Sequence, residues 1–406
     1  MLKDSPVTFT IKLVAGLLLI FWILAQAEKA SSAEYEVPNS GSPYLDLNTI
    51  ADNQIVHLPT GLKVNFDQMM QAVAGSRVIY VGETHDSLED HRIQLNVIRW
   101  LEKRGKIAVG MEMFRRSAQP ELDLWIKETS TEKKFRKLFN KNWGSGIKVY
   151  QPIFDFLKEK SIPLIGLKST HEMESAFRAG DAAPGASFYP ELDETDPYHR
   201  AHSMSLFGGH QDHVALLEKP YRMLLLWEET MAQTVAQFIA DENNHDRKLV
   251  VLAGGFHVQY GFGIPKRAYR RVPHQYSIIL PTITQIPEEL KESREMKVEH
   301  VHTPLYSADY AWKVPYKVLP KSRIKLGVFL TEEDVGVRVQ SVGKNSNAQR
   351  AGILAGDLLL QADGKNIIDV EQMVRLLQSK NFGDRVKLHL KRDDAERELE
   401  VILLEK

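Results

Sequence analysis

Two glutamates, two histidines and a lysine stand at matching places in this chain, each directly after a short apolar run. Residues 78–81 lead into Gly82-Glu83-Thr84-His85-Asp86, and residues 107–111 into Glu112-Met113-Phe114. Residues 162–167 lead into Lys168, and residues 249–253 into Gly254-Gly255-Phe256-His257. Imidazoles and carboxylates together can ligate a divalent metal, move a proton or hold a polar ligand. Taken singly, Glu83 or Asp86 is equally well explained as the cap of a following helix, and His257 as a hydrogen-bonded interior histidine. The coincidence over four runs favours a site. Core packing has no use for charge there, and an unpaired buried charge is strongly unfavourable.

The runs themselves say what must position these groups. They are apolar on both faces, as are residues 277–280, which suits buried parallel strands. Helical patterns fill the gaps. His91, Leu95 and Ile98 line one face of a predicted helix over 88–104 that stops at Gly105. Ile153, Phe154 and Leu157 mark a second helix, and residues 231–239 a third. Strands alternating with helices predict an α/β fold: an open, mostly parallel sheet with flanking helices, whose ligands sit beyond the carboxyl ends of the strands. Residues 180–213 depart from the pattern. They are polar and hold His199, His202, His210 and His213, which suits either a lid or binding loop or a surface excursion. Further on, Tyr306, Tyr310, Trp312 and Tyr316 are expected to pack back on the first domain.

Composition narrows the function classes. The 406 residues are 43% hydrophobic, with 52 basic against 53 acidic side chains, so cores can form and no global field points to nucleic acid. There is no cysteine, which excludes disulfides, thiolate metal sites, cysteine nucleophiles and an acylated-cysteine anchor. Lys3 and Lys12 precede an apolar run over 13–24, and Ala25-Gln26-Ala27 and Ser31-Ser32-Ala33 offer small residues of the kind a signal peptidase reads. Residues 1–33 therefore read as a signal peptide or an uncleaved anchor. The expected location is exported, periplasmic or membrane-associated on the outer side of the cytoplasmic membrane. Two globular parts follow, over 44–317 and 323–406.

Family resemblances sharpen this. Residues 78–86 with His91 and Gln94 resemble the opening motif of the ChaN-like haem-binding uptake family in the Tiki superfamily. The likeness continues through residues 110–114, Gln119-Pro120, Trp143, residues 150–153, 226–232 and 252–257, and Tyr260-Gly261-Phe262-Gly263-Ile264-Pro265. Two departures stand out: Lys168 where the family often has Asn, and the missing cysteine. The resemblance implies haem as cofactor, its iron held by a tyrosine and a nearby histidine. Tyr260 is the first candidate and Tyr150 the second, with His85 and His257 beside them. Lys266, Arg267, Arg270 and Arg271 could meet haem propionates, or form a solvated helix face. Relatives in the wider superfamily imply an alternative, a metal-dependent hydrolase. There His85, Glu112 and His257 would hold Zn, Mn or Fe, and Glu83 or Glu112 would be the general base.

The last part resembles a bacterial PDZ domain, small and β-rich. Residues 335–339 alternate as a strand, Asp363-Gly364 signals a hairpin, and residues 370–378 form a helix. By resemblance Leu326, Gly327 and Val328 form the loop that captures a peptide carboxylate, and Val370 and Val374 line the side-chain pocket. The alternative is a module that only packs on its neighbour. The expected partners are haem and a peptide C-terminus or membrane protein, with a homodimer also compatible. The expected role is haem or iron handling, with hydrolysis the alternative to binding alone. Protein isolated from an exported fraction is expected to begin near Glu28 or Glu34. N-terminal sequencing that returns Met1, on protein that stays with membranes through a high-salt wash, would establish the anchor instead.

Overall fold

The computed structural model describes residues 45–127, 129–144, 146–180, 189–206, 214–287, 305–319 and 324–405. The run over 13–24, the cleavage candidates, His210, His213 and the charged stretch 288–299 lie outside the described residues. The chain divides into two units between Val318 and Leu319.

The first unit is built on an eight-stranded sheet. Its strands are β1 (Ile55–His57), β2 (Leu62–Val64), β3 (Val78–Glu83), β4 (Ile107–Arg115), β5 (Leu164–Lys168), β6 (Lys248–Gly254), β7 (Tyr276–Thr282) and β8 (Tyr310–Lys313). They lie in the order β2-β1-β8-β7-β3-β6-β4-β5. Pairs among β3 to β8 are parallel, and β1 joins β8 and β2 antiparallel. Every residue of β3 and β4 is buried, which explains why these strands read as unbroken apolar runs. The five expected strands are all present. The β1–β2 hairpin and β8 extend the sheet on the far side of β7. Through β8, Tyr310 and Trp312 pack back on this domain, with Tyr316 buried just beyond; Tyr306 is exposed.

Helices cover the sheet: α1 (Phe66–Val73), α2 (Leu88–Glu102), α3 (Gln119–Ile126), α4 (Glu132–Asn142), α5 (Ile147–Glu159), α6 (His171–Ala179), α7 (Pro197–Leu206), α8 (Val214–Ala240) and α9 (Ile264–Arg271). Ser87 caps α2 by accepting from Asp90 N, and Glu89 and Asp90 complement the positive end of the helix. The central core joins Val78, Tyr80, Val251 and Ala253 of the sheet to Met231, Val235 and Phe238 of α8 and to Ile264 and Ala268 of α9. Each large aliphatic group so buried contributes about 1.5–3 kcal/mol.

One departure from regular pairing opens the site. The β4–β6 ladder ends at Met111↔Leu252, while β3 stays paired with β6 as far as Glu83↔Gly254. Beyond Met111, β4 also shifts register against β5. Two neighbouring strands thus part at their carboxyl ends, and Glu112 lies where they part.

The second unit holds β9 (Val328–Glu333), β10 (Gly336–Val342), β11 (Leu358–Ala362), β12 (Lys365–Asn366), β13 (Arg385–Arg392) and β14 (Ala395–Ile402), with α10 (Asn347–Arg350) and α11 (Val370–Gln378). The sheet order is β14-β13-β11-β10-β9, all antiparallel, with β12 on β11 and β9 at an edge. Its own core includes Leu326, Val337, Val339, Leu359, Met373, Leu388 and Val401. Gly327 enters β9 at φ +84°, and a Cβ there would lie 2.3 Å from Ser346 Cβ. A fragment of residues 323–406 is expected to unfold in one cooperative transition. In it, Gly327→Val should cost about 1–3 kcal/mol, because both the backbone angle and the space are lost. Thermal melts of the two fragments measure this, and an unchanged melt would show that the Gly327 contact is dispensable.

Candidate functional site

The loop from β3 to α2 carries the first group of polar residues. Its clamp is Asp90, which accepts from Thr84 N at 2.7 Å and from Ser87 Oγ at 2.6 Å. Burial raises the Asp90 carboxyl to about 6 against the pull of those donors. His91 on α2 donates Nε2–H to the His85 carbonyl at 3.1 Å, so the loop is held from two sides. Glu83, fully buried at the end of β3, accepts from His85 Nδ1 at 2.8 Å, Tyr150 Oη at 2.5 Å and Gln94 Nε2 at 2.7 Å. Burial would raise its pKa, but the His91 charge and the His85 and Tyr150 hydrogen bonds outweigh this and hold it below the ordinary value.

His85 is thereby an oriented imidazole. Its Nδ1 is fixed by a carboxylate, which sets the tautomer as in metal-ligating histidines. Its ring lies over Gly254, where an added Cβ would sit 3.0 Å from Cε1, and its edge meets Trp143 at a centroid distance of 4.9 Å. The side chain is 44% exposed. Burial opposes its protonation, yet the Glu83 bond and the charges of Glu112 and Glu83 leave its pKa raised.

The second group crosses the gap between β4 and β6. Glu112 Oε2 accepts the Gly254 N–H at 2.8 Å, in place of the backbone partner that the parted strands no longer supply. Glu112 Oε1 lies 3.4 Å from His257 Nε2, and His257 Nδ1 lies 2.9 Å from Glu228 Oε1. Glu228 Oε2 in turn takes His199 Nε2–H at 2.6 Å, and His199 Nδ1 is 3.4 Å from Tyr221 Oη. A chain of alternating carboxylate and imidazole therefore runs from β4 through the sheet edge and α8 to α7. Although buried, His257 lies between two carboxylates whose charges and hydrogen bonds raise it to about 10. The charge of His199 and the bonds from both histidines hold Glu228 down at about 2, against the effect of its burial. Burial likewise fails to raise Glu112, which the His257 charge holds well below the carboxylate range.

These assignments sort the residues named from the sequence. Both ring nitrogens of His257 face carboxylates, Glu112 and Glu228, which hold its ring between them. Tyr150 is buried, donates to Glu83 and is raised well above an ordinary phenol, chiefly by burial. It braces Glu83. Arg267 pairs with Glu229, while Lys266 meets Asp196, Arg271 meets Glu229, and Arg270 meets Glu191 and Glu229. Those four cations are committed to carboxylates of the chain. Glu83 and Glu112 already hold several donors as low-pKa carboxylates, which makes them weak bases. Among the described residues no group of three His, Asp or Glu side chains could hold a metal ion.

Tyr260 stands apart. It follows β6 in a short turn and takes φ +56°, a left-handed conformation unusual for a bulky residue. Its N–H donates to the Ser307 carbonyl at 2.8 Å. Its ring meets Phe262 (5.3 Å) and His202 (5.4 Å), and His202 stacks on Phe256 at 4.4 Å and 9°. Burial raises the Tyr260 phenol. Part of the polar insertion is thus the packed helix α7, tied down by His199–Glu228 and covering this aromatic wall with His202. At the crevice, the Lys168 ammonium lies over the faces of Trp143 (5.1 Å) and Trp227 (4.6 Å). The sequence alone assigns no individual role to Glu228, His199 or His202. The available signal for Glu228 was an adjacent acid pair, Glu228-Glu229, inside an apolar helix.

In the second unit, Val328, Leu330 and Val370 pack partly buried against the core, and Val374 is 37% exposed. Leu326 is itself a core side chain, so it serves the loop through its backbone, its carbonyl accepting from Ala348 N at 2.8 Å. Among the described residues β9 lies at the edge of its sheet, with Val370 of α11 packing beside Val328 and Leu330 on the core.

The first unit thus presents an oriented imidazole and an aromatic-walled tyrosine after the carboxyl ends of β3 and β6, and the second unit presents an edge strand beside a helix. Residues 69–268 match the family described as haem-binding uptake, Tiki superfamily, ChaN, and residues 325–403 match the PDZ domain. The chain therefore carries a ChaN-like haem-binding domain followed by a PDZ domain. It is similar to a solved structure described as cofacial heme binding to ChaN of Campylobacter jejuni, at 19% identity, covering 64% of this chain and 95% of that one with a TM-score of 0.48. It is also 31% identical over 80 residues to a probable CtpA-like serine protease of Staphylococcus haemolyticus, covering 19% of this chain and 16% of that one. A serine protease Do-like HtrA of Lactobacillus helveticus is 31% identical over 83 residues, 20% of this chain and 19% of that one. The chain spans less than a fifth of the length of these two curated relatives.

The buried chain has a pH signature. His257 is raised from 6.5, so its contribution to stability is complete below that pH and is lost as pH rises through about 10. Glu228 is depressed from 4.5, so its contribution is complete above that pH and is lost as pH falls through about 2. Replacing one partner of such a buried pair costs about 3–5 kcal/mol. Chemical denaturation of His257→Gln across pH 5 to 10 is expected to show that loss and a flatter alkaline limb. A variant as pH-dependent as the parent would show that His257 is not the protonated group.

Proposed function

We propose that this chain is an exported haem-binding protein, acting in haem or iron handling on the outer side of the cytoplasmic membrane, with Tyr260 as its iron ligand. The PDZ domain would dock it to the C-terminal peptide of a partner, including a membrane protein. The observation that carries the reading is Tyr260: an aromatic residue held in a left-handed turn at the carboxyl end of the sheet, beside the ring faces of Phe262, His202 and Phe256. Strained backbone of this kind persists where the surroundings over-determine it, and it clusters at ligand sites.

The residues present fit a haem. A phenol oxygen suits ferric iron, aromatic faces suit a porphyrin, and Lys168 offers a charge to a propionate. When bound, haem would supply the iron and its redox chemistry. The chain's own residues do the holding: Glu83 and Asp90 fix the loop that presents His85, and the Glu112–His257–Glu228 chain fixes the turn that presents Tyr260.

Adding hemin to the full chain should give a saturable Soret change with a defined stoichiometry. Tyr260→Phe should alter that spectrum with little effect on stability, and His85→Ala should weaken binding by about tenfold or more. Because iron displaces the phenol proton, affinity should rise with pH, by about tenfold per unit for one proton, and Tyr260→Phe should remove that slope. Saturable binding that ignores both substitutions would overturn the site. Retention of a divalent ion with ester or peptide cleavage would transfer the reading to the hydrolase.

A further inference from the structure

The PDZ groove carries a preference of its own, written along β9. We infer that Glu332 selects peptides with a basic side chain four residues before their C-terminus, an inference that rests on the peptide-binding reading of this domain.

The argument begins with direction. The carboxylate loop at Gly327 immediately precedes β9, so the strand runs away from the site where a peptide would end. A peptide finishing there must run toward the loop, antiparallel to β9, along the edge that β10 leaves free. Side chains on β9 alternate between two faces. Val328, Leu330 and Glu332 are partly buried, and Phe329 and Thr331 are exposed, Phe329 at 76%. The first set faces α11: Val328 and Leu330 pack on the core with Val370, and Glu332 Oε1 accepts the Val370 N–H at 3.3 Å.

Register then follows from the two-residue repeat. The terminal residue of the peptide lies beside Val328, the residue two before it beside Leu330, and the residue four before it beside Glu332. At the first two positions the wall is apolar, Val328 and Leu330 packing with Val370 against the core. An apolar terminal residue and an apolar residue two before it are therefore expected. At the third the wall is a carboxylate. The neighbouring Glu333 is engaged by Arg338, on both its oxygens, which leaves Glu332 as the acid on the groove face. Its bond to Val370 N uses one oxygen at a helix N-terminus, where negative charge is favoured. A lysine or arginine opposite it gains a cross-strand ion pair, and a glutamate is repelled.

The test uses the full chain and fluorescent eight-residue peptides with a free C-terminal valine and an apolar residue two before it. The fourth residue before the end is Lys, Ala or Glu. The Lys peptide should bind about fivefold tighter than the Glu peptide at low salt, with Ala between them, and the gap should narrow as salt is raised. Glu332→Gln should reduce the gap to less than twofold, and Glu332→Lys should reverse the order. A gap that survives Glu332→Gln, or no gap in the parent chain, overturns the assignment of Glu332. Amidated peptides binding as tightly as free acids, or no peptide binding at all, would remove the groove reading itself, and the assignment of Glu332 with it.

Discussion

The α/β domain depends on one compensated burial of charge, Glu112–His257–Glu228. None of the three has appreciable access to water, and each would be strongly unfavourable alone. Together, with Gly254 N–H on one end and His199 on the other, they join β4, the turn after β6, α8 and α7 into one electrostatic unit. A bond between backbones could not do this, because β4 and β6 no longer run side by side at that level. The carboxylate of Glu112 closes the sheet electrostatically where its ladder has opened, and the opening is what makes a crevice.

His85 and Tyr260 are presented on opposite principles. His85 is held by hydrogen bonds: Glu83 fixes the ring, His91 the carbonyl, and Asp90 the loop on both sides. Tyr260 is held by packing and backbone geometry, with aromatic rings around it. A polar network orients a lone pair, whereas packed rings shape a flat surface. A flat ligand with a metal at its centre needs both.

Much of the fold was legible because burial on both faces leaves a plain mark. Residues 78–81, 107–111, 162–167, 249–253 and 277–280 are read as strands by that mark, and strands lie there. The strands β1 and β8 were not read, since three or four residues carry no period, and their pairing spans more than 250 positions. Helix α8 was legible only over its last turns, because Glu228-Glu229 interrupts the apolar pattern and Pro220 lies in its first half. In the site, the strand-end acids and histidines were visible by type and place. Their division of labour was not. Whether His257 is ligand or imidazolium depends on Glu228, which lies 29 positions away and faces it only in three dimensions. The same holds for Tyr150, whose hydroxyl meets Glu83 across 67 positions.

The free edge of β9 has a bearing on solubility as well as on recognition. An unpaired strand offers the same hydrogen-bonding row to any other unpaired strand, including the β9 of a second copy. Two such edges meeting antiparallel would bring acidic residues at the end of each strand toward the start of the other, and would take the side chain of Glu332 out of water. If the edge takes a short, basic, terminating peptide as inferred, the same carboxylate would disfavour pairing with its own image.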